Sequence, residues 1–419
     1  MVVFFFLVLI FGFSIDYFVW RRITPLIASY IGVFFIILTH SLFGQQLGFV
    51  DIEDGIYLFI SLFFMVGLLA SLLCAFLMAW LTRNISINHY TSESHSRSSR
   101  FVFVLAVIVC LLCSYFIYST GSRLGSFVSE DFESALTYGL PGHVFAILVS
   151  LMPFVLRNYH ADKNKLALFL LIFILILLFM KQVKYWVMIP FLWMVWYSVV
   201  SGYIKLTFGR VVLLSLSIVV LLMAFFFLVY FMKVVFSSNS QSIDYGAVIY
   251  DIMIHFFGYL YSGILTFSVY LRQGIFNNLV ANDLMGLFAG PVNVLNLILG
   301  EKLINLDIVR PFVILNKYSG TVGNVPSLWG TLLMAGGYFS FGIYFLVIFF
   351  VSVLQWFSKF SNLALMIYTF LTSFLFFSWF DYYYYLLMPF EVSMLCVFFY
   401  MFFTKGNRVN DVRGIGQIR

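Results

Sequence analysis

Residues 166–200 read LALFLLIFILILLFM, then KQVK, then YWVMIPFLWMVWYSVV. Two uncharged runs flank a short break that holds Lys181 and Lys184, and each run approaches the length needed to cross a ~30 Å hydrocarbon core. The rest of the chain has the same character: 63% of residues are hydrophobic, 10% are charged, and the mean hydropathy is +1.04. No soluble surface can be built from that composition without aggregating, so the expected fold class is all-α, a polytopic membrane helix bundle. Lys and Arg gather on the cytoplasmic side of such proteins. Alternation along the chain places Lys181 and Lys184 outside, and an anionic, phosphate-bearing lipid substrate would account for them there.

Apolar runs predict spans at Val2–Trp20, Ile23–Ser41, Ile56–Leu81, Phe101–Ser119, His143–Leu156, Leu166–Met180, Tyr185–Val200, Val211–Phe231, Leu328–Val351, Leu363–Phe380 and Tyr384–Phe403. That makes about 11–12 transmembrane helices in a single integral membrane domain over residues 1–419. The first run has no basic segment before it and no small-residue cleavage site after it, so it reads as a span rather than a cleaved signal. Arg21 and Arg22 directly follow it and set the N-terminus outside. The inside segments then hold Arg21, Arg22, Arg83, Arg97, Arg100, Arg157, Lys163, Lys165, Lys205, Arg210, Lys359 and the tail with Lys405, Arg408, Arg413 and Arg419. The outside segments hold Arg123, Lys181, Lys184, Lys233, Arg272, Lys302, Arg310 and Lys317. The inside share is nearly double and lies mostly in short loops, where charge bias sorts topology best.

Val248–Leu271 is apolar enough to span, but making it a span inverts the sidedness of everything on one side of it. Asp251, His255, Tyr259, Ser262 and Thr266 recur along it at helical spacing as one polar stripe. The segment is therefore expected to be an amphipathic helix on or dipping into the outer leaflet, within one large external loop over residues 233–326. Asn84–Arg100 reads as a polar cytoplasmic linker and residues 405–419 as a basic cytoplasmic tail. Cys110 and Cys113 have CxxC spacing but lie inside an apolar run without ligand partners, so they read as packing residues, as do Cys74 and Cys396.

Polar groups at the outer face fall in three places. The first is the loop after the fourth span, with GSRLG at 121–125, Glu130, Asp131, Glu133 and YGLPGH at 138–143. The second is Lys181–Lys184, and the third is the long loop with Asp251, His255, Arg272, Arg310, Lys317 and Asn324. Lys181 and Lys184 sit three apart, as if on one helical face. They suit phosphate binding, against the plainer reading of snorkelling anchors. Arg123 lies between two glycines that would let a ligand approach the backbone, or it is a solvated turn residue. Arg272 and Arg310 complete the candidate diphosphate ligands, since a guanidinium can bond two oxygens at once. The candidate catalytic residues are His143, at the start of a helix, and the Asp251/His255 pair, whose i,i+4 spacing lets a carboxylate hold one imidazole nitrogen while the other accepts a proton. Each also has a plain structural reading, as an interfacial cap or a chance pair. Glu391 within the last span calls for a partner or a role. Asp381 precedes Tyr382–Tyr385, a run that reads as an aromatic belt. No Walker A, GxGxxG or HExxH sequence occurs, and no paired acidic motif is placed to hold Mg²⁺; neither a cofactor nor a metal is expected.

The chain resembles the Wzy-type O-antigen and oligosaccharide repeat-unit polymerases of bacterial envelopes. The architecture carries the resemblance across most of the chain: about a dozen spans and a large external loop late in the sequence. The local cues are YGLPGH at 138–143, the basic residues at Lys181–Lys184, Tyr261-Ser-Gly263, and GNVPSLWGT at 323–331 followed by GGYFSFG at 336–342. Related ligases and polymerases often carry a His at the end of the long loop, where this chain has Asn324. The resemblance implies a multi-pass protein of the bacterial inner membrane that performs metal-independent glycosyl transfer at its external face. The donor is a glycan on undecaprenyl diphosphate, the acceptor a repeat unit on the same lipid, and undecaprenyl diphosphate is the leaving group. The expected partners are these lipid-linked glycans, membrane lipid and a chain-length regulator protein, with no nucleic acid. Two other classes stay open. An O-antigen ligase would use the same chemistry with another acceptor. A lipid-linked oligosaccharide flippase would also contact diphosphate, but should carry charge along its central helices, whereas the charge here sits at helix ends.

Overall fold

A computed structural model describes residues 1–83, 96–127, 129–205, 245–276, 284–300 and 310–405, with Ala224 and Phe227 besides. The span expected at Val211–Phe231 lies otherwise outside the described residues, as do linker residues 84–95 and the tail beyond Lys405. The described chain is helical apart from one short antiparallel pair, Val313–Ile314 (β1) with Val322–Gly323 (β2). Its helices are α1 (Val2–Trp20), α2 (Pro25–Thr39), α3 (Asp54–Leu81), α4 (Ser96–Leu124), α5 (Glu130–Thr137), α6 (Gly139–Asp162), α7 (Lys165–Met180) and α8 (Lys184–Val200). After them come α9 (Tyr245–Arg272), α10 (Ala289–Leu299), α11 (Ser327–Gly336), α12 (Phe339–Phe357), α13 (Asn362–Leu375) and α14 (Met388–Lys405).

Seven helices among the described residues are long and apolar enough to cross a membrane: Val2–Trp20, Pro25–Gly44, Asp54–Leu81, Arg100–Leu124, Gly139–Ala161, Val248–Arg272 and Phe339–Phe357. The chain is thus a helical membrane protein, with fewer full-length spans described than the eleven or so expected. Lys165–Met180, Asn362–Leu375 and Met388–Phe403 are apolar but shorter. The 14 residues of α13 rise about 21 Å, less than the ~30 Å hydrocarbon thickness. The span expected at Leu328–Val351 is divided. Gly337, at φ 52°, stops α11, and α12 starts two residues on. Only a residue without Cβ holds that backbone conformation cheaply.

The chain folds as two compact units, each drawn from separate stretches. Residues 1–77, 205–350 and 375–385 form one; residues 78–204, 351–374 and 386–419 form the other.

In the first unit, Tyr30 of α2 packs against Phe64 of α3 and Trp329 of α11, and Phe63 packs against Phe341 and Tyr344 of α12. Asp16 is buried in α1, where Thr24 and Ser71 hydroxyls donate to its carboxylate and Trp20 donates to Ser71. A carboxylate inside an apolar bundle needs such donors. α9 departs from the expected surface helix. Its 28 residues are continuous, and every residue from Tyr261 to Tyr270 is buried, including Ser262 and Thr266 of the polar stripe. A helical stretch covered on all sides is a core element, so this half of α9 presents no wet face. Only the N-terminal half keeps a split pattern, with Asp251, His255 and Tyr259 exposed and Ile252 and Ile254 buried. The β1–β2 hairpin is stapled by Asn316, whose amide donates to the Leu47 carbonyl and whose oxygen accepts from the backbone N–H groups of Tyr318 and Ser319.

In the second unit α6 is the central helix, and Val144–Phe154 is buried apart from the half-buried Ile147. α14 runs parallel to it: His143 meets Glu391, the Ser150 carbonyl accepts from the Cys396 thiol, and Phe154 meets Phe403. α4 runs antiparallel to α14, with Phe101 near its start against Phe402 and Phe403. Trp193 of α8 donates to the Met366 carbonyl and the Thr369 hydroxyl of α13 and packs on Phe370. The parallel and antiparallel runs sort the polar groups. One end of the unit gathers the C-terminus of α4, all of α5, the start of α6, the α7–α8 turn and the start of α14. The other end gathers Arg157, Lys163 and Lys165, with His160 stacked on Tyr203 at 4.1 Å.

Candidate functional site

Three local features of the sequence build the first of these ends. Ser129 caps α5, its hydroxyl accepting from the Phe132 amide, and the acidic residues Glu130, Asp131 and Glu133 occupy the first turn, where the helix dipole favours negative charge. The chain then turns straight into α6. A Cβ on Gly142 would strike the Thr137 carbonyl oxygen, so only glycine lets the two helices meet this closely, and His143 follows at the exposed rim. The third feature is the α7–α8 turn, where Gln182 sits at φ 66° and donates to the Phe127 carbonyl.

That turn corrects the expected geometry of the lysine pair. Lys181 follows the last residue of α7 and Lys184 opens α8, so the two belong to different helices and share no helical face. Their environments differ as well. Lys184 is half-buried, whereas Lys181 is fully buried. The Lys181 Nζ lies 3.3 Å from the ring centroid of Trp186 and 5.0 Å from that of Phe145, and it has no hydrogen-bond partner among the described residues. Ring faces attract a cation but fill none of its three N–H donors. Burial pushes the Lys181 pKa down to about 7, opposed by the electrostatic pull of Cys113, Glu391 and Glu133. Glu133 in turn is lifted above the usual carboxylate range by burial, with Lys184 and Lys181 holding it down and Glu130 adding to the rise.

At the rim, His143 Nδ1 lies 2.7 Å from Glu391 Oε1. The expectation that Glu391 has a partner is met by a histidine from the start of a helix 248 positions away in sequence. Arg123 is exposed in the last turn of α4, at the same end of the unit. Lys181, Lys184, His143 and Arg123 are therefore gathered by the fold, and Glu133, Glu391, Trp186 and Phe145 join them. The sequence signals for the additions were faint: a lone acid in the last span, and an aromatic residue two positions into α8.

The remaining candidates belong to the first unit. Asp251 and His255 keep their i,i+4 spacing on α9, and both are exposed. Arg272 is paired with Glu53. Arg310 is half-buried and its guanidinium donates to Asp381 at 3.0 Å; the same carboxylate accepts from the Thr331 hydroxyl at 2.7 Å and from the Tyr382 backbone. Both arginines expected to face a diphosphate thus face a protein carboxylate. Asn324 is half-buried just past β2.

A family model described as a family of unknown function, DUF6337, matches residues 48–409. No curated protein and no solved structure matches the chain.

Proposed function

The chain belongs to DUF6337, and for this member we propose a membrane-embedded polymerase that joins lipid-diphosphate-linked oligosaccharide repeat units at the external face of the bacterial inner membrane. The acceptor hydroxyl oxygen bonds to the anomeric carbon of the donor glycan. The bond from that carbon to the diphosphate oxygen breaks, and undecaprenyl diphosphate leaves with the electron pair.

The observation that carries this reading is Lys181, a buried ammonium with no hydrogen-bond partner among the described residues. Burying a charge without bonding its donors is costly, and an arriving phosphate oxygen removes that cost. Lys184 and Arg123 stand at the same end of the unit, where they can add to the neutralisation of the leaving group, the role Mg²⁺ has in many glycosyl transfers. The carboxylates facing Arg272 and Arg310 favour the lysines over those arginines as diphosphate ligands. The opposite end of the unit, with Arg157, Lys163 and Lys165, fits the cytoplasmic side by the charge rule. In the orientation proposed, the Lys181 end opens to the outside.

Deletion in the native host tests the class. Cells that make a surface glycan of one repeat unit in place of a ladder support a polymerase; loss of the single-unit product as well supports the flippase or ligase. The site is tested with expression-matched Lys181→Gln/Lys184→Gln protein. Each charge-assisted contact contributes about 1.5–3 kcal/mol, so losing two lowers the elongation rate by roughly 10²- to 10⁴-fold. A wild-type ladder from the double variant overturns the diphosphate role.

A further inference from the structure

The transfer proposed above releases a proton from the acceptor hydroxyl. Three histidine or carboxylate candidates offer to take it: Asp251/His255 on α9, Glu133 on α5, and His143 on α6. Asp251 and His255 belong to the first unit, and Lys181 to the second. Glu133 is partly buried beside two lysines and acts on their charge. His143 stands at the end of the second unit that holds Lys181, and its side chain is 54% exposed.

We infer that His143 and Glu391 form a dyad in which the His143 Nε2 accepts the acceptor hydroxyl proton and Glu391 is the positioning residue. The inference rests on the polymerase reading and deepens it. A carboxylate only accepts hydrogen bonds, so the 2.7 Å contact with Glu391 fixes the ring proton on Nδ1 and leaves the lone pair on Nε2. The dyad is built from the starts of two parallel helices. The chain reversal at Gly142 fixes where His143 stands, and Glu391 occupies the first turn of α14, where the helix dipole favours its negative charge. Glu391 is only 21% exposed, so its charge is less screened than that of a surface acid. When the proton arrives, Nδ1–H and Nε2–H are both donors and the imidazolium lies against a carboxylate that stabilises it. The oxygen that loses the proton bonds to the anomeric carbon, and the diphosphate takes the bonding electrons. Lys181 stabilises that departing charge from the same end of the unit, so proton acceptor and leaving-group ligand are held by helices that pack on one another.

The test uses membrane vesicles containing the full-length protein and, as probe, the lipid-linked single repeat unit extracted from the deletion strain. Glu391→Gln keeps a hydrogen-bond acceptor for Nδ1 but removes the charge. It is expected to lower kcat about 10²–10⁴-fold, with KM for the probe within about twofold, and Glu391→Asp to recover part of the loss. His143→Ala is expected to lose turnover to a similar degree and to regain it on addition of imidazole, which a structural role would not produce. Wild-type kcat in Glu391→Gln, or His143→Ala losses that imidazole leaves unchanged at normal protein level, overturns the dyad while the polymerase reading stands. A wild-type protein that fails to elongate the probe overturns the polymerase reading and the dyad together.

Discussion

An ammonium at Lys181 gives up its water for two aromatic faces and the more distant pull of Glu133 and Glu391. The exchange is poor for the cation, which is why burial brings its pKa from 10.5 down to about 7. Below that value the group is charged and ready for an anion. Above it the amine is neutral, and binding a phosphate oxygen requires a proton from solvent. Affinity for a soluble prenyl diphosphate such as farnesyl diphosphate is therefore expected to fall as pH rises through about 7, by up to tenfold per pH unit. Lys181→Arg stays charged at every accessible pH and should show a flat profile. Calorimetric titration of both purified proteins checks this, and equal slopes would remove Lys181 as the titrating ligand. The same depression bears on stability. Between about 7 and 10.5 the unfolded chain holds a proton at this position that the folded chain does not, so folding gains stability as pH rises across that window. Lys181→Met should abolish this part of the pH dependence, read as the thermal midpoint in detergent.

At the scale of elements, two joints are expected to fail in different ways. The α5–α6 joint depends on the absence of a side chain at residue 142, because the Thr137 carbonyl occupies the space a Cβ would need. Gly142→Val should force the helix starts apart, costing about 1–3 kcal/mol and displacing His143 from Glu391. The expected readout is a lower thermal midpoint together with lost elongation. The joint that ties the segment before β1 to α11 and the loop after α13 is electrostatic. Asp381 is 3% exposed and accepts from Arg310 and Thr331. Arg310→Met leaves that carboxylate buried without its cation, at a cost of about 3–5 kcal/mol. Pairing it with Asp381→Leu should recover much of the loss, since an apolar pair removes the stranded charge. A double variant no more stable than the single one would show that the Thr331 and backbone contacts, and not the ion pair, hold the joint.

Across the whole molecule, the proposed orientation places residues 84–100 and the tail after Lys405 in the cytoplasm and the Lys181 end of the second unit outside. Cysteines introduced as Glu130→Cys and Ser92→Cys should separate on treatment of intact cells with a membrane-impermeant thiol reagent, the first labelled and the second protected. The native cysteines described are all buried, which keeps the background low. Labelling of Ser92→Cys from outside would invert the orientation. The helical membrane class was legible in the sequence because hydropathy is a local, additive property: runs such as residues 2–20 and 54–81 need no partner to declare themselves. Lys181 and Lys184 stood out for a related reason, since two lysines between long apolar runs are conspicuous by composition alone. What the sequence did not reveal was pairing. A helix as uniformly apolar as α7 has no stripe to separate its core side from its lipid side, so nothing in one dimension said that Lys181 would turn inward onto Trp186 and Phe145. The polar spacing of α9 suggested a wet face, and packing buried its second half on every side. His143 with Glu391 and Arg310 with Asp381 are 248 and 71 positions apart. Local composition determined which segments enter the membrane; which charged groups meet was decided only by the packing of helices distant in sequence.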